Sequence, residues 1–248
     1  VIVAELTKLR RSALWVVAVV LPVLAVIAGT INYAANQGVL STGWESYWSQ
    51  VVLFYGLFFM SMGVAVLASA AWRMEHRGHN WNLLMATPAR PEAIVGAKIT
   101  SLTIVVAAMQ LVLLALVAGI GMFVLDLEGA PPWEYAVIAL FGVVAALPVV
   151  AAQSLLSMSF RSFTAPVALG LLGCAIGTGL LYSGQGGVVS HLFPHSLVTS
   201  ALFLGNSAVS DAAGLDLAVM GPILLAALSL TSGLWALSAY LLSRRDMR

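Results

Sequence analysis

Residues 72–98, WRMEHRGHNWNLLMATPARPEAIVGAK, decide how the rest of the chain is read. They form a long polar segment between two apolar runs. They hold Arg73, Arg77, Arg90 and Lys98, four of the eleven Lys and Arg in the 248 residues. A polar stretch between two apolar runs of spanning length is a loop on one face of a membrane. Its excess of basic residues assigns that face to the cytoplasmic side. Within 80–86, Trp81, Leu84 and Met85 recur at helical spacing, which predicts a short helix. Pro88 and Pro91 end it. Pro91 and Glu92 then open the next helix, with proline in its first turn and a carboxylate at the positive end of the dipole.

Outward from this loop the chain is 61% hydrophobic and 8% charged, with mean hydropathy +1.00. A soluble domain carries roughly 25% charged residues, so the composition is that of a membrane protein. The expected fold is all-α and polytopic, one transmembrane domain over 1–248 with six spans at 13–31, 50–72, 99–125, 135–158, 165–181 and 217–242. Residues 1–12 read as an interfacial helix with Ile2, Leu6 and Leu9 on one face and Glu5, Lys8 and Arg11 elsewhere. A plain basic flank to the first span is the alternative. The segment 183–216 is apolar in its middle but interrupted by His191, Pro194 and His195. It reads as re-entrant or interfacial helices on the outer face. A seventh span would send Arg244, Arg245 and Arg248 outside. With six spans and both termini inside, all eleven basic residues face the cytoplasm, while Glu45, Asp126, Glu128, Glu134, Asp211 and Asp216 face outward.

Several chemistries are missing. No phosphate-binding G-x-x-x-x-G-K-[ST] loop, H-E-x-x-H or G-x-S-G motif occurs. The net charge of +1 gives no nucleic-acid footprint, and the single cysteine, Cys174, has no partner for a disulfide within the chain. His191 and His195 stand four apart, but Pro194 interrupts a shared helix and no carboxylate is near, which favours structural or interfacial histidines over a metal site. No charge lies near the middle of a span, which disfavours coupling to an ion gradient. The membrane part therefore has no evident energy source of its own, and a separate cytoplasmic subunit acting through residues 73–98 is the economical inference. Span two concentrates Phe54, Tyr55, Phe58, Phe59 and Met62, either the wall of a path for an amphiphile or ordinary core and lipid contact. Span five carries Gly173 and Gly177 as a G-x-x-x-G pair that permits close helix approach.

Three features carry a family resemblance: AELTKLRRS before the first span, MEHRG followed by NLLMATPARPEAIVGAK between spans two and three, and six spans with a long outer segment before the last. In these the chain resembles the membrane subunits of type-2 ABC exporters, particularly the small permeases of bacterial drug and lantibiotic export or self-immunity systems. The resemblance implies that 73–98 contains a coupling helix seated in a cleft of the ATPase subunit. On this chain its contacts map to Glu75, Arg77, Gly78, Trp81, Leu84, Thr87 and Pro88. Glu75 and Arg77 are then charge contacts, and Trp81 and Leu84 fill an apolar socket. It further implies a second permease chain, identical or similar, with spans two and five facing a central path lined by Phe54, Tyr55, Phe58, Phe59, Met62, Gly173 and Gly177. The chain itself would be no enzyme and hold no cofactor, ATP and Mg residing on the partner. It would sit in the bacterial cytoplasmic membrane and export a peptide antibiotic, drug or lipid. Competing readings are a non-transporting assembly or sensory subunit, an intramembrane enzyme using His191 and His195, and a secondary carrier.

Overall fold

The computed structural model describes residues 1–10, 12–77, 80–183, 187–204, 206 and 215–244. All regular structure among them is helical. In a water-free environment every backbone N–H and C=O must be paired inside the segment, and long charge-free runs such as 14–35 meet that demand as helices. Six helical stretches are long and apolar enough to cross a membrane. The first is α2 (Leu14–Ala35). The second comprises α3 (Trp44–Phe54), a π-helical turn (Tyr55–Phe59) and α4 (Met60–His76). The others are α6 (Pro91–Phe123), α7 (Glu134–Ser159), α8 (Thr164–Tyr182) and α11 (Leu217–Ser243). Short helices complete the chain: α1 (Ile2–Arg10), α5 (Asn80–Met85), α9 (Gly187–Leu192) and α10 (Pro194–Leu202).

The helices run past the apolar runs that reveal them. Pro91 occupies the first turn of α6, as its fixed φ and missing N–H favour, so this helix starts eight residues before the hydrocarbon-like stretch at 99. At 33 residues it is about 50 Å long, and Lys98 lies within it rather than in a loop. The second long helix begins at Trp44, so the aromatic belt of Trp44, Tyr47 and Trp48 rides on helix. On the same face of the membrane the Asp216 carboxylate caps α11, accepting a 2.9 Å hydrogen bond from the Ala218 N–H.

Burial divides the helices sharply. In the most apolar stretches of the second and fourth spans 61% of residues are buried, against 28% in α8 and 11% in α11. The second span and α7 are thus the centre of the bundle. α8 and α11 lie at its edge with Leu171, Leu172, Leu225 and Leu237 exposed. Gly29 lets α2 approach α3 closely, since a Cβ there would meet the Val51 backbone at 2.5 Å. The nine residues of α10 span only about 13 Å, too short to cross a membrane. Even so, His195, Ser196, Leu197, Val198, Thr199, Ala201 and Leu202 are all buried, packed against α7, α8 and the π turn.

Candidate functional site

The chain leaves span two at the basic end of the bundle through Glu75, His76 and Arg77, makes the single-turn helix α5, turns at Thr87 and Pro88, and re-enters through α6. Local hydrogen bonds fix this path. Asn80 Nδ2 donates to the Met74 carbonyl at 2.9 Å, and the Thr87 hydroxyl donates to the Leu84 carbonyl at 2.7 Å. Trp81 folds inward: its ring stacks on His76 with centroids 5.1 Å apart and planes 4° from parallel, and tilts against Trp72 at 6.3 Å. His76 Nε2 donates to the Ser157 carbonyl at 3.0 Å, so the stack is anchored to α7.

Glu75 is 3% exposed and belongs to a four-charge cluster that joins three helices. Its Oε1 accepts from Lys8 at 2.8 Å and from Lys98 at 2.9 Å. Lys98, 1% exposed, also pairs with Glu5 Oε2 at 2.5 Å, and Lys8 pairs with Glu5 Oε1 at 2.8 Å. Lys98 Nζ lies 5.2 Å from the centre of the Trp72 ring, whose Nε1 donates to Ser154 Oγ at 2.7 Å. Two carboxylates and two ammonium groups cancel locally, which is the condition for keeping them together in a low-dielectric interior. Burial pulls the Lys8 ammonium down. Hydrogen bonds and charge from Glu5 and Glu75 outweigh it and hold its pKa above the ordinary 10.5. α1 is thereby tied to the end of span two and the start of span three.

The residues of the coupling-loop mapping thus divide. Arg77, Thr87 and Pro88 are exposed, Trp81 and Leu84 are half-buried against the bundle, Glu75 is buried, and Gly78 lies outside the described residues. Arg11, Asp211, Arg245 and Arg248 of the charge count lie outside them as well. Leu83, which sequence reasoning passed over, is 65% exposed at the tip of α5. Between α1 and this loop opens a cleft of about 980 Å³, with Ala4, Met74, Leu83, Leu84 and Pro88 among its apolar walls and Glu5, Lys8 and Glu75 at one side. Glu5 and Lys8 were also missed as partners of Glu75. An acid–base pair at i, i+3 signals only a local contact within α1, and it does not point to Glu75.

The mapped path residues are not gathered on one open surface of the single chain. Tyr55 is fully buried, Phe54, Phe59 and Met62 are half-buried, and Phe58 is 42% exposed. Gly173 and Gly177 face α10. A Cβ at Gly173 would collide with the His195 ring, and one at Gly177 would meet His195 Cβ at 2.9 Å. The His195 ring fills this glycine slot at 7% exposure, with neither ring nitrogen hydrogen-bonded among the described residues. Thr199, one turn on, donates to the Gly56 carbonyl of the π turn at 2.8 Å. No group of three or more metal-ligating side chains occurs among the described residues.

No curated protein matches the chain. Residues 1–177 match the family model described as ABC-2 family transporter protein. That match takes in α1, the buried charge cluster, the polar loop with α5 and the first five spans up to the second glycine of the slot. With the greater part of its length matched, and with six apolar helices around a polar loop, the chain belongs to the ABC-2 transporter family.

Proposed function

We propose that this chain is the permease subunit of an ATP-driven exporter that moves a hydrophobic or amphiphilic substrate outward by alternating access. The substrate class is a peptide antibiotic, drug or lipid, and drug resistance or self-immunity of a bacterium is the expected setting. A separate cytoplasmic ATPase binds ATP and Mg and docks on residues 73–98, which face the cytoplasm together with both termini. Two permease chains, identical or similar, pair in the cytoplasmic membrane with spans two and five toward the path.

The observation that carries this reading is the mounting of α5. Leu83 of α5 and Thr87 and Pro88 of the turn after it face solvent, while its base is held by the His76–Trp81 stack and by Glu75 in the charge cluster. A push on the tip is therefore passed to the ends of spans two and three rather than absorbed by a slack loop. In this arrangement Glu75 transmits force inside the permease, and the exposed residues with the adjoining cleft make the intermolecular contact. Apolar anchors at the centre of an interface carry most of its energy. The test is co-purification of the chain with a nucleotide-binding ATPase subunit from the same cells. Leu83→Asp combined with Thr87→Arg is expected to abolish the complex while leaving the permease folded. An intact complex would refute the assignment. Transport that persists without nucleotide would refute the exporter reading itself.

A further inference from the structure

A second, smaller cleft of about 290 Å³ opens on the other side of the end of span two, between spans one, two and five. Its walls include Leu14 and Val17 of α2 and Ala70 of α4, and Phe163 closes one side just before α8. Arg73 and Arg77, one helical turn apart, both line it. Both are exposed, and neither has an ion pair among the described residues. This contrasts with Lys8 and Lys98 nearby, which are fully engaged by carboxylates. The Arg73 guanidinium lies 5.5 Å from the centre of the Phe163 ring, and the Phe163 carbonyl accepts a 2.7 Å hydrogen bond from buried Ser69. The ring that orients Arg73 is thus itself pinned to span two. This cation–π contact uses none of the guanidinium N–H donors, which stay available for a planar or tetrahedral oxyanion.

We propose that this cleft binds one anionic phospholipid, with its phosphate on Arg73 and Arg77 and an acyl chain along Leu14, Val17 and Ala70. The chemistry fits in both halves: uncompensated guanidinium charge at the basic end of the bundle, and an apolar wall running from it toward the hydrocarbon. Basic pockets between spans at a membrane face take anionic headgroups in this way. A soluble anion would use the arginines and leave the apolar wall idle. The site shares Met74 and Arg77 with the edge of the larger cleft assigned to the ATPase, but Arg73, Phe163 and the apolar wall belong to it alone, and the proposal does not depend on transport.

The test uses the full chain purified in detergent and offered phosphatidylglycerol and phosphatidylcholine with identical acyl chains, with bound lipid read by native mass spectrometry. Wild type is expected to retain phosphatidylglycerol preferentially, two arginines together being worth on the order of 30-fold at low salt, with the preference falling as salt is raised. Arg73→Gln with Arg77→Gln is expected to remove the preference, Arg90→Gln on the same face to leave it, and Arg73→Lys with Arg77→Lys to keep part of it in a folded chain. Ala70→Trp fills the acyl wall without touching the arginines and is expected to lower retention as well. Equal retention of the two lipids by wild type, or an undiminished preference in the Arg-to-Gln pair, would overturn the proposal. Displacement by millimolar inorganic phosphate together with indifference to Ala70→Trp would also overturn it, identifying a site for free anions instead.

Discussion

Replacing Lys98 by methionine keeps the volume of the side chain and removes its charge. The consequence follows from the four-charge cluster. Lys98 is 1% exposed and contacts Glu5 at 2.5 Å and Glu75 at 2.9 Å, so its loss leaves two buried carboxylates with Lys8 alone. The cluster passes from neutral to one net negative charge. Breaking a buried pair in this way costs about 3–5 kcal/mol. Lys8, whose side chain is 38% exposed, stays in place and can draw in water, which favours the lower end, about 3 kcal/mol. For a chain of this size that corresponds to a fall in melting temperature of roughly 10 °C. Circular dichroism of the detergent-solubilised chain is the assay. The double variant Lys98→Met with Glu5→Gln restores neutrality and is expected to recover at least half of the loss, because a matched removal strands no charge. A single variant that melts within about 2 °C of wild type, or a double variant whose loss equals the sum of the singles, would refute the reasoning.

Two further outcomes follow from the packing around α10. Gly173→Leu places a side chain where the His195 ring sits and is expected to destabilise by about 1–3 kcal/mol, with His195→Ala partly rescuing it; thermal unfolding of the single and double variants measures both. Thr199→Val removes the hydroxyl from the Gly56 carbonyl at constant shape and is expected to cost about 1–2 kcal/mol, accompanied by faster amide hydrogen exchange in the π turn.

The main architecture was legible because its signals are local and large. Long apolar runs, basic residues gathered in 72–98 and the prolines at 88 and 91 are read directly from the chain, and six membrane-length helices appear. The partners of Glu75 were not legible. A carboxylate beside an arginine in a polar loop reads as solvated, and nothing in the order of residues brings Glu5 and Lys8, some 70 positions earlier in the chain, against it. Lys98 misled for a related reason: hydropathy marks where the hydrocarbon begins, whereas Pro91 marks where the helix begins, and the eight residues between are helical and buried on one face. Gly173 and Gly177 announced a close approach but not what approaches. The occupant is a histidine from a short helix rather than another span.

The π turn has a consequence at the far end of its helix. One buried seam along the second span runs through Trp44, Trp48, Val51 and Tyr55, then Met60, Val64, Leu67, Ala71 and Glu75. The step from 55 to 60 is one residue longer than a regular helix allows, and that residue is absorbed between Tyr55 and Phe59. Winding these residues as a regular α-helix, with none removed, would rotate everything beyond them by about 100° relative to α3. Glu75 would then swing off the seam it shares with Lys98 and Lys8, roughly 24 Å from the π turn, whereas excising the extra residue would leave it in phase. A winding irregularity in the middle of the span thus sets the azimuth at which the permease presents its loop.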